Sequence, residues 1–176
     1  MSIVRVIGAG LAGSEAAYQL SKKGHHVLLY EQKPRKRHAA FQTDDFAELI
    51  CSNSLRSDSL NNAVGLLKEE MRILDSLIMK AADATRVPAG KSLAVDRKAF
   101  SRMITETLEH DPNIEIIREE VTDLDTSVPT ILAAGPLCEG ELSKAIAALC
   151  DKSYLYFYDA VAPIVEIGRA SCRERV

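Results

Sequence analysis

The sequence predicts an α/β fold built on a parallel sheet, and three observations carry that prediction. A short β-branched run, "SIVRVIG", opens the chain and leads into "VIGAGLAGSEAAYQL", where Gly8, Gly10 and Gly13 have the spacing G-x-G-x-x-G. Helical spacing follows at Leu11, Ala12, Ala16, Ala17 and Leu20 and stops near Gly24. A second apolar run, "HVLLYE", ends on Glu31. Strand, helix and strand within about 30 residues form a βαβ unit, whose crossover is right-handed.

The later elements are read in the same way. Positions 34–58 are polar and irregular, which predicts a long functional loop. A helix is expected from about Asn62 to Ala82, with Ala63, Leu67, Met71, Leu74, Ile78 and Ala81 as its core-facing stripe. Pro88 and Gly90 break the chain. Asp96 is a candidate cap for a further helix that turns Phe100, Met103, Ile104 and Leu108 inward. "NIEIIREEV" reads as a strand, "TILAAG" as a short buried strand, and Glu141–Leu149 as a small helix. "YLYFYDAVAPIV" is β-prone, with Pro163 marking an edge or a crossover.

Composition narrows the class. The 176 residues are enough for about one domain, and 47% hydrophobic with 27% charged residues is an ordinary globular balance. No apolar run approaches the ~18 residues of a membrane span, and no signal-peptide pattern precedes the first strand. Cys51, Cys138, Cys150 and Cys172 lack C-x-x-C spacing, and the four histidines lack ligand spacing, so neither a zinc site nor a disulfide framework is expected. Cysteine usage without an export signal points to the cytoplasm. A net charge of −3 carries no global nucleic-acid signature. The basic cluster Lys33, Arg35, Lys36 and Arg37 reads first as a solvated loop. The last ten residues, "IGRASCRERV", have no periodicity and match a conceptual translation of a common sequencing adapter. Residues 167–176 are therefore expected to be an artefact that cuts short a longer protein.

The glycines acquire meaning from their context. Gly8 is suited to the tight strand-to-helix turn, Gly10 to close approach of a pyrophosphate, and Gly13 to close helix–strand packing. The backbone of Ala9, Leu11 and Ala12 lies in the same turn, at a helix N-terminus that attracts phosphate. Glu31, ending the second strand, can accept hydrogen bonds from ribose hydroxyls. A carboxylate there disfavours the 2′-phosphate of NADP, although Lys33 and Arg35 are close enough in sequence to compensate. FAD or NAD is the expected dinucleotide.

"IEIIREEV", a gap and then "TILAAG" resemble the second half of FAD domains of the glutathione-reductase type, and "AVDRKAF" resembles a helix opening in such flavoproteins. In those domains the last strand ends in an Ala-Thr-Gly-like turn against the cofactor. Here it reads Ala133-Ala134-Gly135, a departure at the middle position, which adds Ala134 and Gly135 to the cofactor set. The fold expected is thus a Rossmann-like FAD-binding domain, incomplete at its C-terminus. Residues 1–153 would be its N-terminal portion, and 154–166 the start of a second, truncated domain.

A longer series of motifs names a family. "TDDFAELICSNSLRS", "NAVGLLKEEMRILDSLI", "VPAGKSLAVDRKAF" and "LYFYDAVAPIVE" follow the glycine motif and "LYEQKP" in order. Together they resemble the folate- and FAD-dependent tRNA uracil-5-methyltransferases, the TrmFO family, and their wobble-uridine-modifying relatives. "CSNSLRS" followed by "NAVGLLKEEM" favours the methyltransferase branch. The resemblance implies formation of 5-methyluridine in the T-loop of tRNA, with methylenetetrahydrofolate as one-carbon donor, FAD as relay and NAD(P)H as reductant. It also makes Cys51 a candidate catalytic thiol. C5 of uracil becomes nucleophilic once a thiolate adds at C6, and a cysteine activated by positive charge or a helix N-terminus is the usual device. Whether Cys51 attacks uracil or shapes the flavin pocket stays open at this level. Asn53 and Arg56 are candidates for substrate or cofactor contact. Cys138 and Cys150 are read as structural. RNA binding would rest on phosphate contacts, to which the cluster from Lys33 to Arg37 can contribute. Competing readings are a related FAD-dependent wobble-uridine-modifying enzyme or another FAD oxidoreductase, and a cofactor-binding fragment without catalysis.

Overall fold

The computed structural model describes residues 2–135, 138 and 140–150. The β-prone "YLYFYDAVAPIV", the second domain expected at 154–166 and the tail 167–176 lie outside the described residues. The βαβ unit forms as the periodicity requires: β1 (Ile3–Ile7), α1 (Leu11–Lys22) and β2 (His26–Tyr30), with Gly24 in the left-handed region at the helix exit. Next come β3 (Ser54–Ser57), α2 (Ala63–Ile73), α3 (Leu77–Ala84), β4 (Arg86–Val87) and β5 (Ser92–Val95). Last are α4 (Arg97–Glu109), β6 (Ile114–Ile117), β7 (Thr130–Leu132) and α5 (Glu141–Leu149).

The main sheet is parallel, in the order β6-β2-β1-β7. Its register aligns Val6 with Leu29 and with Ile131. Helices α1, α3 and α4 pack together over it and enclose Val6, Val27, Leu29, Phe100, Ile104 and Leu108, all fully buried. Asp96 does cap α4, accepting from the Lys98 and Ala99 N–H groups. The strand in "TILAAG" exists, but it is not a buried one. It lies at the sheet edge, where Ile131 and Leu132 keep more than a third of their surface in solvent.

Helix α1 packs through its small residues. Gly13, Ser14, Ala17 and Ser21 are buried, while Leu11 and Ala12 are exposed. Of the apolar spacing, Ala17 is in the core and Leu20 packs against it, whereas Leu11 and Ala12 lie off the packed face. The serine hydroxyls are satisfied locally, Ser14 donating to Ala9 O and Ser21 to Asp111.

The expected loop at 34–58 ends early, because Ser54–Ser57 pair antiparallel with Ser92–Val95. A second sheet results, in the order β3-β5-β4. The single helix expected from Asn62 to Ala82 is two. Asn62 caps the first, accepting from Gly65 N–H. The break falls at Asp75, at φ +61°, followed by the cap Ser76. Its cause lies on α1. The Glu15 carboxylate accepts from the Ser76 hydroxyl (2.7 Å) and from the N–H groups of Leu77 (3.3 Å) and Ile78 (3.0 Å). An acceptor from another element thus satisfies donors that a new helix start leaves open.

Helix α2 keeps only part of its expected face: Met71 packs against the core, while Ala63 and Leu67 are exposed. Lys68 is buried, donating to Ser57 O and Val64 O, and burial pushes its ammonium pKa below the ordinary value. Ile73 and Leu74 are 78% and 71% exposed, and Leu67 is exposed too. Polar anchors rather than apolar burial fix this helix. Arg72 bonds Asp58 (2.9 Å) and both carboxylate oxygens of Asp83, and Arg86 also reaches Asp58 (2.8 Å). Burial raises the Asp58 pKa, but the two guanidiniums outweigh it and hold that carboxyl below its usual range. A lowered folded-state pKa gives stability that is complete above the unfolded value, about 4, and is lost as pH falls through the folded value. Asp58→Ala is expected to cost about 2–3 kcal/mol at neutral pH in urea unfolding, with a smaller difference from the parent below about pH 3.

Candidate functional site

The turn between β1 and α1 is built by three glycines with three different constraints. Gly8 has φ +100°, donates its N–H to Tyr30 O, and would place a Cβ 2.5 Å from Ala133 O. Gly13 would place a Cβ 1.7 Å from Gly8 O. Gly10 caps α1 in an ordinary extended conformation, and a Cβ there would meet nothing within 4 Å. The first and third glycines are required by the protein's own backbone. The second faces open space.

That space is a cavity of about 740 Å³. Its floor is the Gly8–Ala12 turn, and Glu31 lies on one wall. Ala133, Ala134 and Gly135 line another wall, with Cys51 also on the lining. Gly13 sits behind the turn, against Gly8. Among the described residues no side chain caps the N-terminus of α1, whose Leu11 and Ala12 line the cavity, so its first N–H groups and positive dipole end meet it. Glu31 is buried, with Oε2 accepting from Ala9 N–H (3.2 Å) and Oε1 from Lys33 N–H (2.9 Å). An ionised carboxylate has about four acceptor positions, so two remain for hydroxyls of a ligand. These features suit a dinucleotide: donors for its phosphates, room where a Cβ would stand, and acceptors for a ribose.

Cys51 is exposed and follows a segment laid over the glycine turn, where Ala47 N–H donates to Ala9 O (2.9 Å). The polar residues after it have structural duties. Asn53 exchanges bonds with Val95, its side chain donating to Val95 O (3.1 Å) and its backbone O accepting from Val95 N–H (3.0 Å). The Ser52 hydroxyl accepts from Ser54 N–H, and the Ser54 hydroxyl from Arg56 N–H. Arg56 is exposed on β3 at φ +67°; neither it nor Asn53 lines the cavity. Cys138 does line it, beside Ile7 and Leu142. Burial pushes its thiol pKa up, only partly offset by the Lys36 charge, so it is a poor nucleophile at neutral pH.

The basic cluster is not a uniform solvated loop. Lys33 is buried, while Arg35 pairs with Glu119, Lys36 with Glu120 and Arg37 with Asp44. Sequence reasoning missed the buried Lys33–Glu48 pair and the part that Glu119, Glu120 and Val121 take in the lining. Their distance along the chain from the glycine motif left no local signal. Among the described residues, no group of His, Cys, Asp and Glu could hold a metal, and no helix is long and apolar enough to cross a membrane.

Comparison with known proteins gives consistent results. A family model described as "Glucose inhibited division protein A" matches residues 3–171. The chain is 60% identical over 163 residues to "Methylenetetrahydrofolate--tRNA-(uracil-5-)-methyltransferase TrmFO" of Anoxybacillus flavithermus, an alignment covering 93% of this chain. It is 57% identical over 167 residues to the protein of the same name from Streptococcus pneumoniae, covering 95% of this chain. The chain spans 38% of the length of each relative. Aquifex aeolicus GidA, at 21% identity and a TM-score of 0.56, shares the fold over 70% of this chain and 20% of its own.

Proposed function

Because the chain belongs to the glucose inhibited division protein A family, we propose that it is the FAD-binding part of an enzyme that methylates C5 of a T-loop uridine in tRNA. One observation carries the reading: the glycine turn, Glu31 and Cys51 line a single cavity. The 57–60% identity to relatives named as folate-dependent tRNA (uracil-5-)-methyltransferases supports the substrate side.

FAD, when bound, would relay the one-carbon unit of methylenetetrahydrofolate with electrons from NAD(P)H. The cavity fits that cofactor, given the space at Gly10 and the spare acceptor positions on Glu31. In this reading the Gly8–Ala12 backbone and the α1 N-terminus hold the pyrophosphate, and Glu31 holds the ribose. Ala134 and Gly135 border the cofactor from the end of β7. Cys51 adds as thiolate to C6 of the uracil, which makes C5 nucleophilic toward the one-carbon unit. C5 bonds to the methylene carbon, loss of the C5 proton breaks that carbon's bond to its carrier nitrogen, and a hydride equivalent drawn from NAD(P)H reduces the exocyclic methylene to methyl as the thiolate is expelled from C6. The target base must leave its stack to reach the cavity. Asn53 serves by fixing the Cys51 segment to β5, and Arg56 remains available on β3 for RNA phosphate.

The test uses the polypeptide at the full length of its relatives, loaded with FAD. Incubated with labelled methylenetetrahydrofolate, NAD(P)H and tRNA lacking 5-methyluridine, it is expected to place label in the T-loop. Label at the wobble position would move the protein to the wobble-uridine branch. A flavin-loaded protein that labels no tRNA would overturn the reading.

A further inference from the structure

We propose that Lys33 is a positioning residue: through its buried pair with Glu48 it ties the ribose end of the cavity to the segment that carries Cys51. The assignment of a role to Cys51 rests on the function proposed above; the tie itself rests on geometry.

Lys33 is 3% exposed, an unusual state for a lysine. Its Nζ donates to Asp45 O (2.6 Å), lies 3.6 Å from Glu48 Oε2, and stands 4.7 Å from the centre of the Phe41 ring. The two charged side chains are 4% and 11% exposed. Glu48 is also engaged, accepting from the N–H groups of Gln42 (2.7 Å) and Thr43 (3.3 Å). At the other end, Lys33 N–H donates to Glu31 Oε1, whose partner oxygen holds Ala9 N–H in the glycine turn. Arg118 braces the same segment, donating to Asp44 O (2.9 Å) and Lys33 O (3.4 Å) and stacking 4.3 Å from the Phe46 ring centre.

The segment between Phe41 and Cys51 contains no helix or strand, so its path depends on these bonds. Lys33, Glu48 and Cys51 all line the cavity. A buried pair of this kind is a poor source of net stability compared with apolar residues of similar volume, and its best-attested use is to specify one arrangement. Here the arrangement selected is the approach of the Cys51 segment to the glycine turn. Reacting groups displaced by about 1 Å lose on the order of 100-fold in rate, so a loosened segment should act on turnover more than on tRNA affinity.

The test compares Lys33→Met, Lys33→Arg and the double variant Lys33→Met/Glu48→Leu in the FAD-loaded, full-length protein. Three quantities are read: kcat and KM for tRNA, iodoacetamide alkylation of the Cys51 peptide against pH by mass spectrometry, and melting temperature. Lys33→Met is expected to lower kcat about 10-fold or more with KM within about 2-fold, and to shift the Cys51 alkylation profile. Lys33→Arg is expected to restore most of both. The double variant removes both charges, so it leaves no unpaired buried ion if Lys33→Met alone fails to fold. It is expected to melt like the parent yet keep the altered kcat and alkylation profile. Parental kcat and a parental Cys51 profile in a folded variant would overturn the proposal, whatever the melting temperature. If the parent itself forms no 5-methyluridine, the methyltransferase reading fails, while the alkylation profile still decides the role of Lys33.

Discussion

Gly13→Ala is expected to destroy the nucleotide-binding turn together with much of the fold's stability, whereas Gly10→Ala is expected to spare the fold and abolish flavin retention. Both substitutions add one methyl group within six residues of β1, at the N-cap of α1 for Gly10 and in its first turn for Gly13. Their surroundings decide the difference. At position 13 the new carbon would stand 1.7 Å from Gly8 O. The clash is with backbone, and Gly8 cannot retreat, because its N–H is bonded to Tyr30 O and its own missing Cβ already faces Ala133 O. Relief would require lifting α1 from the sheet, which also disturbs Ala17 and Ser14 in the core. Overpacking costs about 1–3 kcal/mol where side chains can adjust, so a rigid backbone clash should cost at least about 3 kcal/mol, well beyond the ~1 kcal/mol gained in helix propensity. At position 10 the methyl would enter open cavity from a φ of −72° that alanine tolerates. Melting of the flavin-free protein should therefore change by less than about 1 kcal/mol equivalent, while flavin absorbance is lost from the purified protein. Normal flavin retention in Gly10→Ala would remove the pyrophosphate from that position.

The second large effect concerns Cys51. In the full-length, FAD-loaded protein, Cys51→Ala is expected to reduce 5-methyluridine formation by at least about 1000-fold without changing flavin content, since removal of a covalent nucleophile costs several kcal/mol of barrier. Among the described residues, two thiols line the cavity, and their settings separate them. Cys138 is buried against Ile7 and Leu142, with its pKa raised, whereas Cys51 is exposed at the end of the Lys33-braced segment. Substitution at an exposed site creates no core cavity, so a folded variant is expected and the activity measurement stands alone. Full methylation activity in Cys51→Ala would sink the nucleophile role, and loss of flavin from it would instead favour a part in shaping the cofactor pocket.

Some of this was legible before any coordinates. The βαβ unit, the roles of Gly8 and Gly13, the acid at Glu31, the Asp96 cap and the bounds of the small helix at Glu141–Leu149 all follow from short-range signals: periodicity, glycine spacing and capping chemistry. The missed features share a different origin. β3 and β4 are too short and polar to show alternation, and exist because β5 offers them a partner. The helix expected through Ala82 breaks where the Glu15 carboxylate, about sixty residues earlier in the chain, supplies a cap for α3. Leu67 and Leu74 of the expected α2 stripe face outward, although Met71 reaches the core, because Lys68 and Arg72 find acceptors on β3 and α3.

The sequence by itself determined the glycine turn and the family, since both are written in contiguous motifs whose chemistry is local. Only the tertiary structure decided which charges are buried, which face of α2 is packed, and that Cys51 shares a cavity with Gly10 and Glu31. Those outcomes depend on partners brought together from distant parts of the chain, and the cost of burying a charge or an open backbone donor is set by the partner it meets, which no local spacing records.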